Sequence, residues 1–102
     1  MKINFNNIIK MENIMVDQEN QVKELEKLLK DVNLKISDYK KLFDYYYSDK
    51  RNKDLECDEK NLIPDEINRG VLSEDGLYNL FLDTHDVAIL MIETALKMLK
   101  IN

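Results

Sequence analysis

An all-α fold is the expectation for this chain, and three observations carry it. Glycine and proline are scarce, two and one in 102 residues, whereas β-sandwiches need both at their many turns. Apolar residues (44%) and charged residues (34%) are both plentiful, the balance of helices with one covered and one solvated face. Apolar side chains from Ile8 to Tyr46 recur at alternating steps of three and four. The length allows one domain over residues 1–102, with a modest core. We read it as a long helix over about 6–47, an acidic connection over 48–73 with one or two short helices, and a C-terminal helix over 74–100.

The long helix organises the rest. Read as heptads, its a positions are Ile8, Met15, Val22, Leu29, Ile36 and Phe43, and its d positions are Met11, Gln18, Leu25, Val32, Tyr39 and Tyr46. Only Gln18 breaks this coiled-coil-type seam. Ile14, Leu28 and Leu42, all at g, widen it toward a bundle face. Such a helix is roughly 58 Å long, too long for the core of a domain this size. It therefore needs a partner: the C-terminal helix packed antiparallel, with a second copy completing the bundle. Residues 1–7 read as a frayed lead-in, with Asn6 or Asn7 as N-cap. Glu26 and Lys30 stand four apart with the acid first, the favourable order for a surface pair. Asp31, Val32 and Asn33 are mediocre helix formers, which makes them the place for a bend.

Tyr45, Tyr46 and Tyr47 end the seam. Three consecutive helical residues fan over about 200°, so one face cannot bury all three. Tyr46 is expected to point inward, with Tyr45 and Tyr47 flanking it and at least one hydroxyl reaching a polar partner or solvent. Ser48 is placed to cap a short helix that begins at Asp49, a residue type suited to a first turn. Residues 48–60 otherwise read as a solvated acidic connection with Leu55 as its apolar anchor, and their acids do not follow the EF-hand spacing.

Further on, Pro64 restricts Ile63 to extended geometry and opens a short helical turn over Asp65 to Asn68. Gly70 reads as a stop with positive φ, and Ser73 as the N-cap of the last helix, with Glu74 and Asp75 in its first turn. Leu62, Ile63, Ile67, Val71 and Leu72 are expected to fold this stretch back onto the helices. The last helix carries two apolar stripes about 100° apart, one through Leu77, Phe81 and Ala88, the other through Leu82, Ile89, Ile92 and Leu96. A helix apolar on two faces is sandwiched between two neighbours.

Charge narrows the function classes. Residues 1–47 carry eight lysines and eight acids, whereas residues 48–76 carry five basic residues against nine acids. The net charge of −5 is therefore concentrated in the connection, and no basic stripe exists for phosphates or anionic lipid. Cys57 is the one cysteine; its neighbours Glu56, Asp58 and Glu59 are acidic, whereas reactive cysteines sit in electropositive surroundings, which argues against a nucleophile. His85 is the only histidine, with no companions for a metal site. The longest apolar run, Val87 to Ile92, is far short of a membrane span, and no signal peptide is visible, so a cytoplasmic protein is expected. We expect no enzyme, no cofactor, no metal and no small-molecule substrate, since no catalytic set or phosphate loop is present.

Two stretches, YYYS at Tyr45 to Ser48 and LIPDEINRGVLSEDGLYNL at Leu62 to Leu80, resemble the small bacterial proteins catalogued as domain of unknown function 4298. Members typically show a heptad-bearing first helix, a YY-x-S junction, an acidic stretch, and a motif like L-P-x-x-x-x-x-GVLSED-x-LY-x-L. The resemblance covers roughly residues 20–98, with GVLSED its specific part and the first 15 to 20 residues reading as an extension. The family's usual aromatics after the tyrosine junction are missing between Ser48 and Asn61. The resemblance implies a helical fold and a bacterial or phage cytoplasmic origin, and no catalytic residue.

The functional expectation is a non-catalytic interaction protein whose partner is itself, as a homodimer. The alternative is an inhibitor from a phage or mobile element, anti-CRISPR-like, which sets an acidic surface into the phosphate groove of a defence enzyme. The residues read as partner-binding are Tyr45, Tyr47, Glu56, Asp58, Glu59, Asp65 and Glu66.

Overall fold

A computed structural model describes residues 2–101. Its elements, in order, are α1 (Asn6–Tyr46), α2 (Asp49–Glu59), a 3-10 turn (Gly70–Leu72) and α3 (Gly76–Leu99), and no strand occurs among the described residues. The all-helical class and the long first helix are as the sequence predicts. The chain divides into two compact units, one ending at Lys40 and the other beginning at Lys41.

The first unit is built on α1. Of the expected lead-in, Met1 lies outside the described residues. The helix entrance differs from expectation: neither Asn6 nor Asn7 caps it. The side chain of Asn4 accepts from the Asn6 backbone N–H at 2.8 Å, and Phe5 supplies the first carbonyl, to Ile9 N–H at 3.2 Å. Side-chain capping needs an oxygen outside the helix, and Asn6 is already inside it. Asp31, Val32 and Asn33 stay helical, with Asp31 paired to Lys35 at 3.0 Å. The Glu26–Lys30 pair forms as expected, at 2.9 Å.

The second unit holds the last turn of α1, all of α2, the 3-10 turn and α3. Ser48 is the N-cap of α2: its backbone is extended, and its Oγ accepts from Arg51 N–H at 3.2 Å while donating to the Tyr45 carbonyl at 2.7 Å. The end of α2 is equally local. Asn61 has a φ of 56°, Asn61 N–H donates to Asp58 O at 3.1 Å, and Leu62 N–H reaches back to Cys57 O at 2.9 Å. This is a Schellman stop, with Asn in the left-handed position that glycine usually fills.

Beyond it the expectations need three corrections. The short helical turn expected over Asp65 to Asn68 is a single turn that starts earlier, closed by Ile67 N–H on Pro64 O at 3.1 Å, and Asn68 lies outside it. Gly70 does not stop a helix with positive φ; no glycine has one, and Gly70 opens the 3-10 turn. Only Ile63 and Leu72 of the five apolar residues expected to fold back are half-buried, with Leu62, Ile67 and Val71 exposed. The turn consumes backbone too quickly for all five to face inward. Leu77, 4% exposed, is the one buried side chain among the described residues.

Candidate functional site

The end of α1 and the start of α3 meet through aromatic rings. Phe81 of α3 sits 5.2 Å from the ring of Phe43 and 5.4 Å from that of Tyr46, the second contact edge-to-face. Offset and edge-to-face pairs are the favoured arrangements, since ring faces are negative and edges positive. Tyr47 lies edge-on to both Phe43 (5.2 Å) and Tyr46 (4.9 Å), yet is 72% exposed. The three tyrosines thus divide as their angular spread requires: Tyr46 inside, Tyr47 on the rim, Tyr45 to the other side.

Tyr45 is half-buried and donates its hydroxyl to Asp54 of α2 at 2.6 Å. Burial pushes the phenol up to about 12, reinforced by the hydrogen bond and charge of Asp54 and opposed by Arg51. Tyr45 is therefore a fixed donor at neutral pH, and it clasps α2 against the last turn of α1. Lys50 stands 3.7 Å from the other oxygen of Asp54.

Arg51 is the hub of the unit. Its guanidinium lies over the ring of Tyr46, 4.8 Å from the centroid, while Nε donates to Val71 O at 3.2 Å and Nη2 to Ser73 O at 3.4 Å. One side chain on α2 thereby holds the aromatic junction and the turn before α3 together. A planar fork with several donors can do this and a lysine cannot. Arg69 makes the second long-range clasp, with Nη1 3.1 Å from Asp58 Oδ1.

The GVLSEDG stretch is a relay between the 3-10 turn and α3. Ser73 Oγ donates to Gly70 O at 2.7 Å and accepts from Gly76 N–H at 3.1 Å. Ser73 is not the N-cap expected of it: α3 begins at Gly76 with Asp75 as N-cap and no side-chain capping bond there. Ser73, Glu74 and Asp75 therefore lie in the turn before the helix, and Ser73 Oγ reaches only its first N–H. Gly76 is needed for space: a Cβ there would meet Gly70 O at 2.9 Å and would overlap Ser73 Oγ. Gly70 has nothing within 4 Å of such a Cβ.

The residues read as partner-binding are placed unevenly. Tyr47, Glu56, Glu59, Asp65 and Glu66 are exposed. Tyr45 and Asp58 are half-buried, the first held by Asp54 and the second by Arg69. Arg51, Asp54 and Arg69 were not singled out by sequence. A signal existed: the chain uses thirteen lysines but only two arginines, and both arginines fall in the connection.

Among the described residues no group of three His, Cys, Asp or Glu side chains could hold a metal ion. His85 is exposed on α3, 3.9 Å from Asp86, and Cys57 is a half-buried free thiol. None of the described helices is long and apolar enough to cross a membrane.

Residues 8–94 match the model of a family described as "Domain of unknown function (DUF4298)". The match begins at residue 8, so most of the segment read as an extension lies inside the family's span. No curated protein and no solved structure gives a match.

Proposed function

We propose that this chain, which belongs to the DUF4298 family, is a non-catalytic helical protein that works by binding protein, and that a second copy of itself is its partner through the α1 seam. The observation that supports this is the exposure of that seam. Ile8, Met11, Met15, Val22, Leu25, Leu29, Val32 and Ile36 share one face of α1 and are all between 37% and 64% exposed. Singly exposed apolar residues are ordinary, but a stripe spanning about eight turns and interrupted only at Gln18 is the mark of an interaction surface. An isolated helix also gains most of its stability from packing such a face. The second unit, on this reading, is a clasped module whose polar contacts hold its own short helices in place. Its setting is the cytoplasm, where a lone thiol such as Cys57 stays reduced.

Co-expression of two differently tagged copies tests the proposal. Each copy should capture the other, and the double change Leu25→Glu with Leu29→Glu should abolish capture by placing charge in the seam. Capture that survives the double change would contradict the seam as the interface.

A further inference from the structure

We infer that the second copy docks antiparallel, with the two α1 helices related by a two-fold axis near Lys27. The inference rests on the self-association proposed above and adds its direction and register. Three features of α1 point to it.

The first is charge. Residues 6–26 carry two lysines against five acids, and residues 27–46 carry five lysines against three acids. A parallel pair lays acidic half on acidic half and basic on basic, whereas an antiparallel pair lays each half over its opposite. The second is the register of the seam. In an antiparallel pair each a residue faces a d residue of the other helix. With the axis near residue 27, Val22 faces Val32, Leu29 faces Leu25, and Ile36 faces Gln18 of the second copy. Applied in both directions, this gives six consecutive layers. Further out the seam reaches Phe43 and Tyr46, which already pack on Phe81.

The third is the flank. An antiparallel pair brings g against g and e against e. Leu28, 59% exposed, then meets Leu28 of the second copy at the centre, Gln21 meets Lys35, and Glu12 meets Lys40. A parallel pair brings g against e five residues on. That sets Ile14 against Glu19, Leu28 against Asn33 and Lys35 against Lys40, twice each by symmetry. Two contacts run the other way. Gln18 would meet its own amide in a parallel pair, whereas here it faces Ile36. Glu26 meets Glu26 of the second copy, a repulsion softened by its 2.9 Å pair with Lys30 on the same helix. One like-charge contact offset in this way weighs less than the two Lys35–Lys40 contacts of the parallel arrangement, in which Lys35 is likewise paired within its own helix, to Asp31 at 3.0 Å.

Spin-label distances on the full chain with Cys57→Ser distinguish the arrangements. Asn13 and Lys27 both sit at outward f positions and are exposed. Labels on Asn13→Cys should lie roughly 45 to 50 Å apart and labels on Lys27→Cys roughly 20 to 25 Å apart, from ~1.5 Å rise per residue and helix axes 8–10 Å apart. Short and equal distances at both positions would overturn the antiparallel inference and leave self-association standing. No coupling between labels at either position, together with a monomeric mass, would overturn both.

Discussion

The guanidinium of Arg51 lies 4.8 Å from the centroid of the Tyr46 ring while donating to the carbonyls of Val71 and Ser73, twenty and twenty-two residues further along the chain. The last turn of α1 and the turn before α3 are thus tied to the same planar group. Arg51→Lys keeps the charge but loses the fork and the stacked plane. We expect it to cost about 1–3 kcal/mol, a sum of lost hydrogen bonds and cation–π attraction. Thermal unfolding followed by circular dichroism measures this, and a lysine variant as stable as the parent would remove Arg51 from its central place.

The two glycines of GVLSEDG are predicted to behave differently. Gly76→Ala drives a methyl into Gly70 O and Ser73 Oγ, and the crowding should cost about 1–3 kcal/mol, more than the small helix-propensity gain returns. Gly70→Ala meets open space at a negative φ and should stay close to the parent. Denaturant midpoints of the two variants check this, and equal losses would contradict the relay through Ser73.

Tyr45 gives the protein an alkaline signature. Its phenol is raised from 10.0 to about 12 in the folded state, so the folded form holds the proton more tightly than the unfolded chain. Stability from this group is complete below pH 10 and falls as pH rises through 12. Tyr45→Phe should flatten the part of that decline owed to this group. At neutral pH it should cost about 1–2 kcal/mol by removing the phenol donor from Asp54, which keeps only the looser contact with Lys50. Unfolding free energies across the pH range, parent against variant, provide the check.

Ser48 closes the junction from both sides, capping α2 and holding the Tyr45 carbonyl. Ser48→Ala should cost about 1 kcal/mol, whereas Ser48→Asp, which keeps a capping oxygen, should restore most of it. Equal instability in both variants would assign the loss to the Tyr45 contact, which only a hydroxyl donor can make.

The contrast between these contacts explains what the sequence revealed. The seam of α1, the Ser48 cap and the Glu26–Lys30 pair each depend on residues within one or two turns, so spacing alone exposes them. The Tyr45–Asp54, Asp58–Arg69 and Arg51–Val71 contacts depend on how the connection folds back, and nothing local encodes that path. The same limit hid which glycine mattered. Gly70 and Gly76 look alike in sequence, and only the position of Ser73 Oγ shows that Gly76 is the one without room. The restriction of arginine to positions 51 and 69 was the remaining trace, since a planar fork is chosen over lysine where several acceptors converge.

Self-association through α1 is the claim on which the functional reading turns, and the mass of the purified chain in solution tests it most directly. Light scattering on the full chain at high micromolar concentration should give twice the 12.1 kDa of one chain, and the mass should drop to that of one chain with Leu25→Glu and Leu29→Glu together. A parent chain that is monomeric at that concentration, stable and fully helical would contradict the account.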